Sequence, residues 1–434
     1  MAILYLSALG LGIRMALSSL YGEQLMQRIE IATPVNSWER MREGSFLHKH
    51  KLSPYDGDLF HGTPLMLLLG NWLLQFDTFL LPLVFAIVDV LVSWLFYAIG
   101  KCLAQELLER EHQNKKHHED SAKNLLLNPN DIGSLPLKLA ACFIFNPYII
   151  ANCVGQTTTT FFNLYLALCI LCMLTEKVVL SLALLALCTY ESFYSISLIV
   201  PMSMYLARKK YPKDFSYLKP SVQQFLMRSL FVFSISLTAL FFASKELSGS
   251  WDFLSSTYGF VWNVPDLKPN IGLFWYFFTE MFEHFRVLFV CTFQINAFLY
   301  VVPLSIRFHR DPILIFYCLM SLTALFKSYP SVGDVGFYLS FLPMWSHLYP
   351  LMRQPLVIGC FFLATSVLAP IMWHLWIYQG SANANFFFGI TLGFAVAQIF
   401  LITDILFAYI KREHHLCHGS KNEVDGKPAT LSLK

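Results

Sequence analysis

The stretch FLLPLVFAIVDVLVSWLFYAIG (79–100) decides the fold. Asp89 is its one charged residue, and a helix of about 20 apolar residues spans the hydrocarbon core of a bilayer. Comparable runs recur along the chain, near 3–20, 136–153, 159–175, 178–193, 194–207, 224–244, 283–306, 312–328, 335–350, 355–378 and 386–410. They predict an all-α polytopic membrane protein of about 12 transmembrane helices joined by short helices and loops. Residues 1–410 form one multi-span domain, and the polar segment 411–434 is a tail. Segment 64–76 is too short for a comfortable span and reads as a re-entrant or interfacial helix. The pair 178–207 is interrupted by Glu191 and Pro201, and such breaks need cover from protein or a cavity at membrane depth.

Composition agrees. Of 434 residues, 56% are hydrophobic and 14% charged, where a soluble domain carries about 25% charged residues. Aromatics make up 16%, a composition suited to lipid-facing surfaces and interfacial belts. A net charge of +3 is too small to imply nucleic-acid binding. Most cysteines, including Cys142, Cys169, Cys172, Cys188, Cys318 and Cys360, fall in apolar runs and read as small apolar fillers. Neither a disulfide framework nor a zinc site is indicated. The N-terminal MAILYLSALGLGIRMALSSL lacks a basic leader and a small-residue cleavage site, and Arg14 interrupts it, so it reads as a retained first span.

Basic residues set the orientation. Lys101, Arg110, Lys115, Lys116 and Lys123 share one gap. Arg208, Lys209, Lys210 and Lys213 share another, followed by Arg307 with Arg310, then Arg353, then Lys411 with Arg412. Twelve spans put these gaps and both termini on one side, the cytosol. The gap holding Arg40, Arg42, Lys49 and Lys51 runs mildly against this. The opposite face then carries SPYDGDLFHGTP (53–64), NVPDLKPNIG (263–272), SYPSVGDVG (328–336) and QGSANAN (379–385), within a first loop 21–62, a second loop 246–282 and later gaps.

Several polar groups on that face are candidate sites. Asp56 and Asp58 in DGD, followed by His61, offer a carboxylate pair for a cation or a general base, or else a Pro-Tyr-Asp-Gly turn. Asn383 and Asn385 stand at the mouth of a span rich in Trp373, Trp376 and Tyr378. Their amides both donate and accept, which suits sugar hydroxyls and phosphate esters, or else they cap a turn. Asp334, and Asp266 with Asn270 in a loop stiffened by Pro265 and Pro269, follow the same logic. Glu280, Glu283 and His284 would share a helical face, as a polar collar or a hydroxyl-binding edge. His112, His117 and His118 lie in a charged cytosolic gap and read as solvated surface. Asp89, Glu191 and Asp404 fall inside apolar runs, where ionisable residues are expensive, and Arg14 and Arg228 are candidate partners. No nucleophile elbow, phosphate loop, dinucleotide fingerprint or HExxH motif is present, so no catalytic residue, metal or cofactor is assigned.

The segments WDFLSSTYGFVWNVPDLKPNIGLFWYFFTEMFEHF (251–285), FKSYPSVGDV (326–335) and WHLWIYQGSANANFF (373–387), with SPYDGDLFHGTPL (53–65) and FNPYII (145–150), closely resemble the PIG-U family, the polytopic subunit of the GPI transamidase complex. The resemblance covers nearly the whole chain. It implies an endoplasmic-reticulum membrane protein in a complex that cuts a C-terminal signal from a proprotein and joins the new carboxyl end to the ethanolamine of a GPI lipid. The catalytic Cys and His belong to a caspase-like protease, PIG-K. The further partners implied are PIG-T, PIG-S and the GPI anchor attachment protein. PIG-U itself is a non-catalytic subunit that recognises or presents the GPI lipid. Asn383 and Asn385 match the family's SAN-x-N segment, a candidate contact to the glycan and phosphoethanolamine.

The family is also similar to polytopic GT-C mannosyltransferases, which use acids in an enlarged first luminal loop. PIG-U does not keep both acids of the DGD pair, so the resemblance gives Asp56 and Asp58 no catalytic role. The expectation is therefore a GT-C-like lipid cradle, with Asn383, Asn385, Asp334, Glu283 and His284 toward the glycan and Asp56, Asp58, Asp266 and Asn270 as weaker candidates. The rivals are an active dolichol-phosphate-sugar transferase and a purely structural spacer.

Overall fold

The computed structural model describes residues 1–77, 79–114, 125–212, 215–419, 423–424 and 427–428. Lys115, Lys116, His117, His118, Lys123 and Lys213, named above, lie outside the described residues. Helices dominate. Among the described residues six are long and apolar enough to cross a membrane: Ala2–Met26, Leu80–His112, Pro220–Ser248, Glu283–Arg307, Pro355–Ile377 and Ala384–His418. A seventh candidate is the pair Leu135–Ile144 and Pro147–Val154, bent by 45° at its break. Pro147 accounts for the bend. It supplies no N–H to the helical ladder, and it pushes Asn146 into an extended conformation (φ −64°, ψ 121°). The Asn146 carboxamide then accepts the Tyr148 N–H at 3.0 Å and starts the second half.

The count of twelve does not follow from helix length. The other expected spans are Thr159–Leu174, Val178–Glu191 and Pro312–Phe326, together with two segments interrupted by 3₁₀ turns, Phe193–Leu198 with Ile199–Lys210 and Val332–Leu339 with Leu342–Leu351. All are shorter or broken. They need not meet lipid along their length: Pro312–Phe326 is buried in an unbroken run from Pro312 to Leu322, as expected of a helix apolar on every side. By contrast, Pro220–Ser248 leaves Met227, Phe231, Ile235 and Phe242 exposed, an apolar outer surface. Pro64–Leu73 has ten residues, begins on a Thr63 cap and exposes Leu68 and Trp72.

The core is tied together by aromatic contacts. Phe96 packs against Phe143 (4.7 Å between centroids), Phe337 (5.4 Å) and Phe341 (4.5 Å), joining three parts of the chain. Arg14 and Asp89 form a wholly buried ion pair at 2.8 Å. Arg14 also donates to the carbonyls of Ile144 (2.8 Å) and Gly10 (3.2 Å), so one guanidinium fastens the first helix to the 80–112 helix and the bent pair.

The other two acids of the apolar runs find no arginine side chain. Glu191 accepts from the Thr63 hydroxyl at 2.9 Å. Asp404 accepts the backbone N–H groups of Arg353 (2.7 Å) and Gln354 (3.0 Å) and so braces the turn leading into the 355–377 helix. Arg228, expected as a partner, is exposed on an outer helix instead.

Ion pairs collect the basic gaps at one end of the molecule: Arg110 with Asp311 (2.7 Å), Lys209 with Glu106 (2.5 Å) and Arg412 with Glu111 (3.0 Å). Residues from 33–36, 61–66, 158–162, 191–194, 257–261 and 327–334 meet at another place, around one cavity. We call the end carrying these loops the polar-loop face.

Candidate functional site

Three regions on or beneath the polar-loop face hold the candidates. The first is a groove of about 480 Å3 between the first helix, the 147–154 helix and the last two helices. Leu25, Ile31, Ala151, Val332, Ala369 and Phe394 give it an apolar lining. Its polar groups include the Arg28–Glu30 ion pair (2.8 Å), the hydroxyl pair Tyr148–Ser366 (2.5 Å), Gln24, Thr365 and Thr391. A large, mainly apolar concavity suits hydrocarbon.

The second region is the lip formed where the 355–377 helix turns into the 384–418 helix. Asn383 is the N-cap of the latter. Its side-chain oxygen accepts the N–H groups of Asn385 (3.0 Å) and Phe386 (3.3 Å). The Asn385 oxygen accepts the Tyr276 hydroxyl. Both residues are exposed, and the oxygens are engaged, so each presents its amide NH2 outward as a donor. Beneath them Trp275, Tyr276, Trp373, Trp376, Phe387 and Phe388 form an aromatic platform. Trp275 stacks on Trp376 at 6.3 Å, and Tyr276 stacks on Phe388 at 4.5 Å. Ile390 packs on this platform and also lines the groove. At 1.5 Å per residue it lies about 7.5 Å along the helix from Asn385, so lip and groove adjoin.

The third region is a cavity of about 100 Å3, to which Asp334 belongs. Asp334 completes a capping box with Ser331 and pairs with Lys327 at 2.6 Å. It lines this cavity and not the groove.

The remaining candidates are dispersed. Glu280, Glu283 and His284 do not share a helix face, contrary to the reading of their spacing. The helix Phe274–Glu280 stops at Met281, and Met281 and Phe282 are both extended (ψ 154° and 133°) before a short 3₁₀ turn begins. Glu283 is 85% exposed, 3.7 Å from Arg286, and His284 rests edge-on to Phe285. Asp266 pairs with Arg40 at 2.6 Å and accepts the Lys268 N–H, while buried Asn270 accepts the Gly272 N–H at 2.7 Å; both brace the proline-rich loop. Asp56 and Asp58 are exposed turn residues, Asp58 with φ 52°, and neither lines the groove or the cavity.

His61 is buried, and burial pushes its imidazole below the ordinary range. Cys169 and Cys172, in a C-x-x-C spacing, are both buried free thiols on one helix. Local patterns did not single out Arg28, Glu30, Tyr148, Lys327 or Thr33. Each becomes a lining residue through tertiary contact alone.

Comparison with known proteins follows the same lines. The family model "GPI transamidase subunit PIG-U" matches residues 8–394. The chain is 40% identical to the human "GPI-anchor transamidase component PIGU" over 95% of its own length and 94% of that protein. It shows the same identity and coverage to the mouse protein of that name. It is 31% identical to the Saccharomyces cerevisiae "GPI transamidase component GAB1", covering 94% of each chain.

Proposed function

Since the chain belongs to the PIG-U family of GPI transamidase subunits, with a subunit role in GPI attachment, we propose that it is the subunit that holds the GPI lipid, without chemistry of its own. The observation that carries this is the adjacency of an apolar groove to a lip bearing two outward amides over an aromatic platform. Acyl chains occupy the groove. The amide NH2 groups of Asn383 and Asn385 donate to the phosphoethanolamine or glycan oxygens, and the tryptophans sit at the interface, where amphipathic rings favour the headgroup level. The ethanolamine amine then projects toward the caspase-like protease PIG-K, within a complex that includes PIG-T, PIG-S and the GPI anchor attachment protein. Holding the amine there turns a bimolecular acyl transfer into a positioned one. Glu283 and His284 lie on the exposed rim of the same face.

In the same reading the chain passes the endoplasmic-reticulum membrane twelve times in a GT-C-like arrangement, with the short central helices shielded by the long outer ones. The basic end and both termini are cytosolic, and the polar-loop face is luminal.

The groove is tested by filling it. Ala369→Trp and Ala151→Trp place an indole in the apolar lining. Complexes carrying them should assemble and lose most co-purifying GPI lipid. Undiminished lipid with either variant would remove the groove from the account.

A further inference from the structure

The cavity is built differently from the groove. One wall separates them: the Val332 N–H donates to the Glu30 carbonyl at 3.0 Å, joining two loop segments. Ile31 and Val332 line the groove, whereas Thr33 and Asp334 line the cavity. The cavity wall is rich in hydroxyls and acceptors. His61 fixes its own tautomer. Its Nδ1 lies 2.9 Å from the Ser256 carbonyl oxygen, which can only accept, so Nδ1 carries the hydrogen. Nε2 is then a bare acceptor, and it is buried without a partner among the described residues. The Thr33 hydroxyl is in the same state. These residues are 7% and 2% exposed. Buried polar atoms of this kind are uncommon, and an unmet acceptor facing a cavity calls for a donor. Glu191 spends one carboxylate oxygen on Thr63 and has the other free of protein partners among the described residues.

Charge narrows the ligand. Lys327, the cation of the lining, is matched by Asp334 at 2.6 Å. Arg40, nearby, is matched by Asp266. Among the described residues lining the cavity no cation is left for a phosphate or carboxylate, and unpaired acceptors predominate. The lining also presents the rings of Phe193, Tyr194 and Tyr258. A molecule with many hydroxyl donors and an apolar C–H face matches this combination.

We propose that the cavity is a binding site for a neutral saccharide unit, whose hydroxyls donate to Glu191 and to His61 Nε2 and whose ring face lies against the tyrosine and phenylalanine rings. The site is separate from the groove and goes beyond the holding of lipid tails. The saccharide is either part of a lipid-linked glycan or a free sugar.

The test uses the purified full complex and saturation-transfer NMR with methyl hexopyranosides, with methyl phosphate as the anionic probe. The site predicts transfer to a hexoside and none to methyl phosphate. Glu191→Gln, which keeps the size of the side chain, should weaken hexoside binding several-fold, the loss expected for one hydrogen bond. Thr33→Val, nearly isosteric, keeps the test valid if Glu191→Gln proves unstable, and should weaken binding by several-fold. Absence of hexoside transfer to complex from wild-type cells and from cells unable to make GPI lipid alike, or transfer unchanged in both variants, would overturn the proposal, as would preferential binding of methyl phosphate. Complex from cells unable to make GPI lipid separates the two sources. Hexoside binding confined to that material identifies the occupant as the glycan of the lipid, and equal binding in both preparations identifies a free sugar.

Discussion

Asp89→Asn should be among the most damaging single changes outside the groove. Arg14 and Asp89 lie 2.8 Å apart with both side chains wholly buried. At an effective dielectric constant of 20 their attraction is about 6 kcal/mol, and it opposes a desolvation penalty of several kcal/mol per ion. The intact pair is therefore close to neutral for stability, and breaking it is not. Asn keeps the shape and removes the charge, leaving Arg14 with the carbonyls of Ile144 and Gly10 and no counter-ion. Removing one member of a buried pair costs about 3–5 kcal/mol, a shift of roughly 150- to 5,000-fold in a folding equilibrium. The double variant Arg14→Met/Asp89→Leu removes both charges and should recover most of this. The assay is the retained monodisperse fraction of detergent-solubilised protein after a heating series, for wild type, single and double variants. A harmless Asp89→Asn, or a double variant as unstable as the single, would refute the argument that an uncompensated charge is the cause.

Two other outcomes follow from the site. Asp56→Asn/Asp58→Asn alters exposed turn residues, and Asn tolerates the positive φ of position 58. Stability should change by less than about 0.5 kcal/mol, and surface display of a GPI-anchored reporter should be unchanged; its loss would favour the transferase rival. His61 titrates below its ordinary value, chiefly through burial, with Arg40 adding to the shift and the Ser256 and Asp58 backbone carbonyls and Asp266 opposing it; Lys327, Glu191 and Asp334 also line its cavity. The unfolded chain protonates near pH 6.5 while the folded one stays neutral, so stability should be flat above that pH and fall as the pH drops through it toward the depressed folded value. His61→Gln should remove that slope in a stability-versus-pH series, and an unchanged slope would assign it elsewhere.

The long helices were legible because hydrophobicity over about 20 residues is a local property: 3–20 and 386–410 fall within observed helices, and 79–100 and 355–378 overrun theirs by one residue each. The short central helices were equally visible as apolar runs. Whether each crosses lipid is not local, because Pro312–Phe326 is surrounded by protein. Arg14 and Asp89 were each conspicuous as charges in apolar surroundings, but their pairing depends on how the first helix packs. The misreading of Glu280, Glu283 and His284 came from a two-residue extended break at Met281 and Phe282, which carries no glycine or proline to announce it. The lip was legible through Asn383 and its neighbouring tryptophans. The cavity was not, because His61, Glu191, Lys327 and Thr33 come from segments far apart in sequence, with no spacing to link them.

The central claim is that the lip and groove hold GPI lipid for the transamidase. The most direct measurement complements cells lacking this protein with Asn383→Ala/Asn385→Ala, then follows complex assembly, co-purifying GPI lipid and surface GPI-anchored reporter in the same cells. Two lost hydrogen bonds to charged oxygens should weaken lipid binding more than tenfold. The account predicts normal assembly with lipid and reporter both lost. Normal assembly with normal lipid and normal reporter would contradict it.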